Sequence, residues 1–491
     1  MTSEQQIQGT EQERKSLTTF DATMLVIGSM IGSGIFIVSA DIARSIGSPL
    51  MLMLVWLATG VMTLIVALSY GELAGMMPKA GGQYIYLREA YNPMVGFLYG
   101  WTFFLVIQTG TIAAVGVAFA KFTGVLLPWW SEKNILVQIG TFKLTAAQIL
   151  AVASIWLLSY INARGVQEGK IVQNVLTSTK TVALFCIIVI GLVFGANTNA
   201  INANFSVLWS IQSISSDGLV LTPLQGGALV LAFASAMVGS LFSSDAWNNV
   251  TFTAGEMKDP KRSIPLSLAI GTMTVTGLYM LANVAYLCVL PLQGQSAGAD
   301  VFARGMQFAV SDRVGTAFVS VVMGAKAEIV MAVFIMISTF GCNNGLILSG
   351  ARVYRAMALD GLFFQKLTTL NSAGVPANAL RIQAVWASLL CLSGTYGDLL
   401  DYVIFAVLLF YILTIIGIFR LRKVRPDAER PYKAIGYPVL PALYVIMATV
   451  VCIALLMTKP ANTYPGLLLV LSGVPVYFFW ARTARTTTNT P

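Results

Sequence analysis

The chain contains no histidine. That removes the commonest metal ligand and the usual side chain for titration near neutral pH. Charge is scarce too: only 10% of the 491 residues are Asp, Glu, Lys or Arg, against roughly a quarter in a soluble domain. The five cysteines (Cys186, Cys288, Cys342, Cys391 and Cys452) all fall inside or at the edge of apolar segments, so no disulfide framework is expected. An intramembrane enzyme needs a converging nucleophile, base or metal set. The apolar runs hold no paired carboxylates and no cysteine cluster, so neither catalysis nor a cofactor or metal is expected. The first 19 residues are polar, with Glu4, Glu11, Glu13, Arg14 and Lys15 and no apolar core. They read as a cytoplasmic tail, not a signal peptide.

What the sequence does have is apolar length. It is 56% hydrophobic, with a mean hydropathy of +0.76, and its apolar runs reach the roughly 20 residues that a membrane-crossing helix requires. Twelve spans are expected, near 20–42, 50–75, 94–125, 146–162, 172–195, 226–256, 264–290, 328–358, 379–396, 399–421, 438–458 and 463–481. The net charge of +9 reflects topology and implies no nucleic-acid partner. With both termini cytoplasmic, 21 Lys and Arg lie on the inner side and eight on the outer, a positive-inside distribution. The partner this implies is the lipid bilayer. No repeated pore loop or charged ring suggests a channel.

Two spans are interrupted at their centres by glycine and small polar residues. The first break is Ile27-Gly28-Ser29-Met30-Ile31-Gly32-Ser33-Gly34-Ile35-Phe36, and the second is Gly239-Ser240-Leu241-Phe242-Ser243-Ser244-Asp245-Ala246-Trp247. Hydrocarbon offers no water to freed backbone groups, so a broken helix persists there only where it lines a protein cavity. Breaks at matching places in two halves of a chain point to the binding site of a secondary transporter. Five spans precede the second break and five run from it. An odd number per half turns the halves over, giving a 5+5 inverted repeat (20–195 and 226–421), two extra helices (438–481) and a tail (482–491). The fold class expected is therefore an all-α integral membrane protein with helices 1 and 6 broken. N–H groups at Ser33, Gly34 and Ile35 suit a carboxylate. Carbonyls of Ile27 to Met30 and of Leu241 to Asp245 suit an ammonium group, so a zwitterion fits both ends together. The plainer reading of Gly28 and Gly32 is close helix packing.

Ile31-Gly32-Ser33-Gly34-Ile35-Phe36 resembles the first span of the amino acid–polyamine–organocation superfamily. Trp247-Asn248-Asn249, then Gly255-Glu256-Met257-Lys258-Asp259-Pro260, resembles the sixth span and following loop of its L-type amino acid transporter branch. Gly71-Glu72-Leu73 with Gly81-Gly82-Gln83-Tyr84, and Asn344-Gly345 with Ser349-Gly350-Ala351-Arg352, extend the likeness over roughly 18–420. The resemblance implies a transporter of neutral L-amino acids, working by sodium-independent exchange and alternating access. It places the substrate carboxylate at Ser33 and Gly34, and the amine at carbonyls of Met30, Phe242 and Asp245. Phe242 would close over the substrate. Ile31, Gly32, Ser243 and Ser244 would line the site, and Trp247 and Asn248 would shape it.

Three further expectations concern charge. Lys180 resembles the lysine that stands where sodium binds in sodium-coupled relatives, tying span 5 to carbonyls of span 1 and hydroxyls of span 8 such as Ser338. The alternative for it is snorkelling to the inner surface. Asp245 departs from the glycine of many L-type members. It would cap the broken helix, carry a proton or cation, or select side chains, and it motivates the alternative of a proton-coupled permease for cationic amino acids or polyamines. Glu72 and Glu256 read as ion pairs beside Lys79 and Lys258. Metazoan members of the branch join a glycoprotein through a cysteine in the loop after span 3. The loop from Pro128 to Thr145 has none, so a prokaryotic-type protein in the bacterial inner membrane, without that disulfide-linked heavy subunit, is expected.

Overall fold

Polar caps and prolines set where the helices begin. In the computed structural model, which describes residues 16–488 apart from 141, 207–210, 216–217, 219–220 and 394–395, α1 (Thr19–Met30) opens on a reciprocal cap between Thr18 and Asp21. Most of the expected tail 1–19, and the end of the tail 482–491, lie outside the described residues. After α1 comes a single 3-10 turn, Gly34–Phe36, and then α2 (Val38–Ile46). Ser48 and the following proline start α3 (Pro49–Met76). A short helix α4 (Gln83–Ala90) leads to α5 (Pro93–Leu126), capped by Asn92 and carrying a π-helical turn at Phe103–Ile107. A small antiparallel hairpin, Ile135–Ile139 with Phe142–Thr145, precedes α6 (Ala146–Arg164) and α7 (Val166–Phe194).

The second half begins with α8 (Gly226–Ser243), a one-turn α9 (Asn249–Phe252) and α10 (Pro260–Val289), which Asp259 caps. It continues with α11 (Val314–Met323) and α12 (Ala327–Leu359). The chain ends in α13 (Ala377–Ser393), α14 (Tyr396–Val424), α15 (Val439–Thr458) and α16 (Pro460–Thr488). Among the described residues ten helical stretches are long and apolar enough to cross a membrane, and α1 and the α13 segment Ala377–Leu392 are shorter apolar helices. The long eighth span is unsplit, one helix of 33 residues.

Helix α7 shows how such a chain inverts the soluble pattern. Gln173, Thr177, Lys180, Leu184, Ile188 and Gly191 recur at three- and four-residue spacing and are buried. Val175, Val182, Phe185 and Phe194 on its other side are exposed. The polar stripe therefore faces protein, where hydrogen-bond partners exist, and the apolar stripe faces outward. α10 packs along both α1 and α3, and α12 packs against α5 and α7. These four contacts surround the first break.

Glu72 is fully buried and takes hydrogen bonds from Arg422 Nε and Nη2 (2.9 and 2.7 Å) and from the Ala434 N–H (2.7 Å), with Arg430 at 3.4 Å. The expectation of Lys79 as its partner is corrected. Lys79 lies beyond the end of α3, in the turn before α4, and forms no ion pair with Glu72 among the described residues, whereas Arg422 arrives from the end of α14.

Candidate functional site at the two broken helices

Both apolar segments break where the sequence places the glycines and serines. α1 stops at Met30, and Ile31 is extended (φ −75°, ψ 100°). The first donors of a new helical turn have no intrahelical partner, and Ser33 and Gly34 at the start of the Gly34–Phe36 turn line the gap. α8 stops at Ser243; the Ser244 N–H folds back to carbonyls of Ser240, Leu241 and Phe242, and Ala246 takes a left-handed φ of 66°. Gly34 and Ser243 meet directly: a Cβ on Gly34 would overlap the Ser243 side chain. Glycine is what lets the two breaks touch.

Between them lies a cavity of about 30 Å³, lined from the first break by Met30, Gly32, Ser33 and Gly34 and from the second by Phe242, Ser243 and Asp245. That is far below the roughly 300 Å³ or more of a typical ligand site, so entry of even a small zwitterion requires Phe242 or a helix segment to move. Ile31 is outside this lining; its carbonyl is taken by Lys180 and Ser338. Ser244 and Trp247 line an adjoining cavity of about 20 Å³. Asn248 lines another of about 20 Å³ and donates to Gln83 Oε1 at 3.2 Å. Asp245 borders all three. Its Oδ1 accepts from Tyr411 at 2.7 Å, and it is hydrogen-bonded to the Ala246 backbone. Among the described residues no Lys or Arg forms an ion pair with Asp245. Trp247 is buried edge-to-face on Tyr70 (4.8 Å) and tilted against Tyr411 (5.2 Å).

Sequence reasoning missed several residues here. Thr111, Val115 and Cys342 also line it, beside Ser29 and Ala246 of the two breaks, and the Ser29 hydroxyl is buried without a hydrogen-bond partner among the described residues. Tyr279 of α10 places its hydroxyl 3.2 Å from the Met30 carbonyl and 3.1 Å from that of Ser243, against Trp56 at 5.4 Å. A tyrosine inside an otherwise apolar span is a signal for such a partner, because its buried O–H must find an acceptor.

Lys180 is fully buried, which overturns the snorkelling alternative. Its Nζ donates to the carbonyls of Gly28 (2.6 Å), Ile31 (2.6 Å) and Ser338 (3.1 Å). The three donors of an ammonium are matched by three oxygens. One detail is corrected: Ser338 offers its backbone carbonyl, while its hydroxyl donates to Ile31 and Gly32 carbonyls at 3.2 and 2.9 Å. α12 is thereby stitched to the first break twice.

A second cavity, about 630 Å³, opens at the far end of α12 and is bordered by Arg164, Glu168, Gly255, Glu256, Arg352 and Arg355. Arg352 is 4% exposed and grips Glu256 through two parallel bonds of 2.9 and 3.1 Å. It also bonds the Leu348 carbonyl of its own helix. The expectation that Lys258 pairs with Glu256 is corrected. The Lys258 backbone N–H instead bonds Leu17, and Ser16 and Leu17 bond the Glu256 carbonyl, which fastens the start of α1 to the end of the second break. Arg352→Gln should weaken closure at this end. In a protein keeping Cys342 as its sole cysteine, thiol reagent added from the cavity side should then react about tenfold faster for each 1.4 kcal/mol lost from the closed form. An unchanged labelling rate would remove the pair from any gating role.

Residues 17–479 match the amino acid permease family. The chain belongs to that family. The permease is 28% identical over 473 residues to the mouse b(0,+)-type amino acid transporter 1, covering 95% of this chain and 88% of the relative. It is 28% identical over 468 residues to the serine/threonine exchanger SteT of Bacillus subtilis (95% and 96% covered). It is likewise 28% identical over 466 residues to the mouse large neutral amino acids transporter small subunit 2 (95% and 81%). The permease is thus a multi-pass plasma membrane protein of the amino acid–polyamine–organocation superfamily, L-type branch, that transports amino acids and is no enzyme.

Proposed function

We propose that this permease exchanges neutral L-amino acids without sodium, by alternating access around the two breaks. The observation that carries the reading is the ammonium of Lys180 inside a cage of three carbonyls, two of them from the first break. A bound metal cation would need those same oxygens and would have to lie beside a fixed positive charge. The substrate carboxylate is assigned to the backbone at Ser33 and Gly34 and the Ser33 hydroxyl. Its amine is assigned to the carbonyls of Met30, Phe242 and Asp245. A carbonyl has two lone pairs, so Met30 can accept from both Tyr279 and a ligand. Phe242, Ser243, Ser244 and Met30 make the surroundings neutral, and the names of the SteT and large-neutral relatives support substrates of that kind. Ile31, Trp247 and Asn248 shape the site from behind. The segments 20–195 and 226–421 are assigned as the two inverted repeats, which interleave around the breaks, with both termini cytoplasmic. The loop from Pro128 to Thr145, free of cysteine, supports work without a disulfide-linked subunit.

A second reading, a proton-coupled permease for cationic amino acids or polyamines, is favoured by Asp245, a carboxylate on the cavity with no ion-pair partner among the described residues. Uptake of labelled alanine, serine, leucine, arginine and a polyamine into proteoliposomes separates them. The vesicles are loaded or empty, with or without sodium, and with an imposed pH gradient. Exchange requires internal amino acid and ignores both ions, and Asp245→Asn then keeps its ion independence. Accumulation in empty vesicles that follows the pH gradient and disappears in Asp245→Asn establishes the second reading and overturns the first.

A further inference from the structure

At the end of the bundle opposite Arg352, a groove of about 310 Å³ runs between α11 and the start of α12. Its size falls in the range of ligand sites. Its walls are apolar, with Val301, Ala317 and Ala325 among them, and its charged members are Arg304, Arg313 and Glu328. Arg313 lies 5.0 Å over the Phe122 ring and 3.6 Å from the exposed Glu328 carboxylate, and its buried Nε has no hydrogen-bond partner among the described residues. Arg304 donates its Nε to the Gly298 carbonyl and forms no ion pair with an acid among the described residues. Two guanidinium groups therefore face one carboxylate. The end of the bundle that holds them is otherwise poor in Lys and Arg, so this basic pair is not part of the charge bias that sets topology.

The groove is continuous with a surface on which Val321, Met323, Ile329, Val330 and Val333 are exposed. Side chains of that kind, on helices that cross or abut the membrane, face acyl chains. An occupant must present an anion to the arginines and hydrocarbon to the walls. We propose that the groove binds an anionic phospholipid of the phosphatidylglycerol type, its phosphate held by Arg304 and Arg313 and an acyl chain laid along Val301, Ala317 and Ala325. Planar guanidinium groups match phosphate oxygens in parallel pairs. The site is one layer from the transport machinery. Gly315 of α11 packs on Phe36 of the first break's outer turn, and Arg44 of α2 bonds Asp312 at 2.6 Å and the Gln307 carbonyl at 2.7 Å.

The test is native mass spectrometry of the full-length protein in detergent, titrated separately with phosphatidylglycerol, phosphatidylcholine and inorganic phosphate. A first phosphatidylglycerol should be retained at about tenfold lower concentration than phosphatidylcholine, the equivalent of one charge-assisted contact. Arg304→Gln should abolish that preference. Ala325→Trp, at an exposed position on the groove wall, should reduce retention by filling the groove while leaving the arginines in place. Equal retention of the two lipids overturns the proposal, as does a preference unchanged in both variants. Displacement of phosphatidylglycerol by millimolar inorganic phosphate would make the ligand a free anion and overturn its assignment to lipid.

Discussion

Lys180→Met should leave the permease in the membrane and lower its amino acid uptake by about a hundredfold or more. Methionine keeps the length and apolar body of the side chain, so little packing is lost. What disappears is the donor to Gly28, Ile31 and Ser338. A hydrogen bond to a charged group is worth about 1.5–3 kcal/mol, and the loss of roughly 2.8 kcal/mol already amounts to a hundredfold. The cost falls on the non-helical stretch between α1 and the Gly34–Phe36 turn, where the proposed carboxylate contacts are. Uptake per reconstituted protein, compared with the melting temperature in detergent, separates the loss of the site from the loss of the fold. Sodium supplies a second readout. If uptake by the variant returns with added sodium, a metal cation has replaced the ammonium among the same carbonyls. Wild-type uptake in Lys180→Met without sodium would sink the role given to this residue.

Gly34→Ala should impair uptake by about tenfold to a hundredfold, with substrate affinity falling before expression does. The added methyl has no room, since the Ser243 side chain occupies its place. Ser243 is not free to yield, because its Oγ is bonded to the Gly239 carbonyl at 2.8 Å. Overpacking of this kind costs about 1–3 kcal/mol, here at a contact where the two breaks meet. Combining Gly34→Ala with Ser243→Ala relieves the hydroxyl overlap but not the whole clash, so part of the loss should be recovered. That non-additivity is the signature of direct contact. Additive losses in the double variant would show that the two breaks act separately.

The sequence was most readable where a physical prohibition was at stake. Glycines and serines in the middle of apolar runs have few explanations in hydrocarbon, and both breaks fall where those residues are. Spans expected near 50 and 94 begin at Pro49 and Pro93, where proline follows a polar cap, whereas the span expected near 264 begins four residues earlier at Pro260. Partners across the fold were not readable. Glu72 and Glu256 were matched to lysines nearby in sequence, yet arginines from α14 and α12 reach them, because pairing depends on which helix ends share a layer. Ser338 was correctly placed against Lys180, but with its hydroxyl and carbonyl interchanged, a matter of rotamer that no spacing encodes. Thr111 and Val115 were missed for a similar reason. They lie on α5 in an unremarkable apolar run, and only the docking of α5 on α12 turns them toward the breaks.

The Tyr279 hydroxyl stands within reach of two carbonyls, Met30 of one break and Ser243 of the other, yet it owns a single proton. Whichever acceptor it serves, the other is left short. The closed arrangement is therefore frustrated by one donor. A primary ammonium brings three, and one at the Met30 carbonyl, where the proposed function places the substrate amine, would free the tyrosine for Ser243. Seen as donor stoichiometry, the joint between the two helices is one proton short, and under the proposed function a cargo carrying an amine would supply it where a ligand lacking the amine would not.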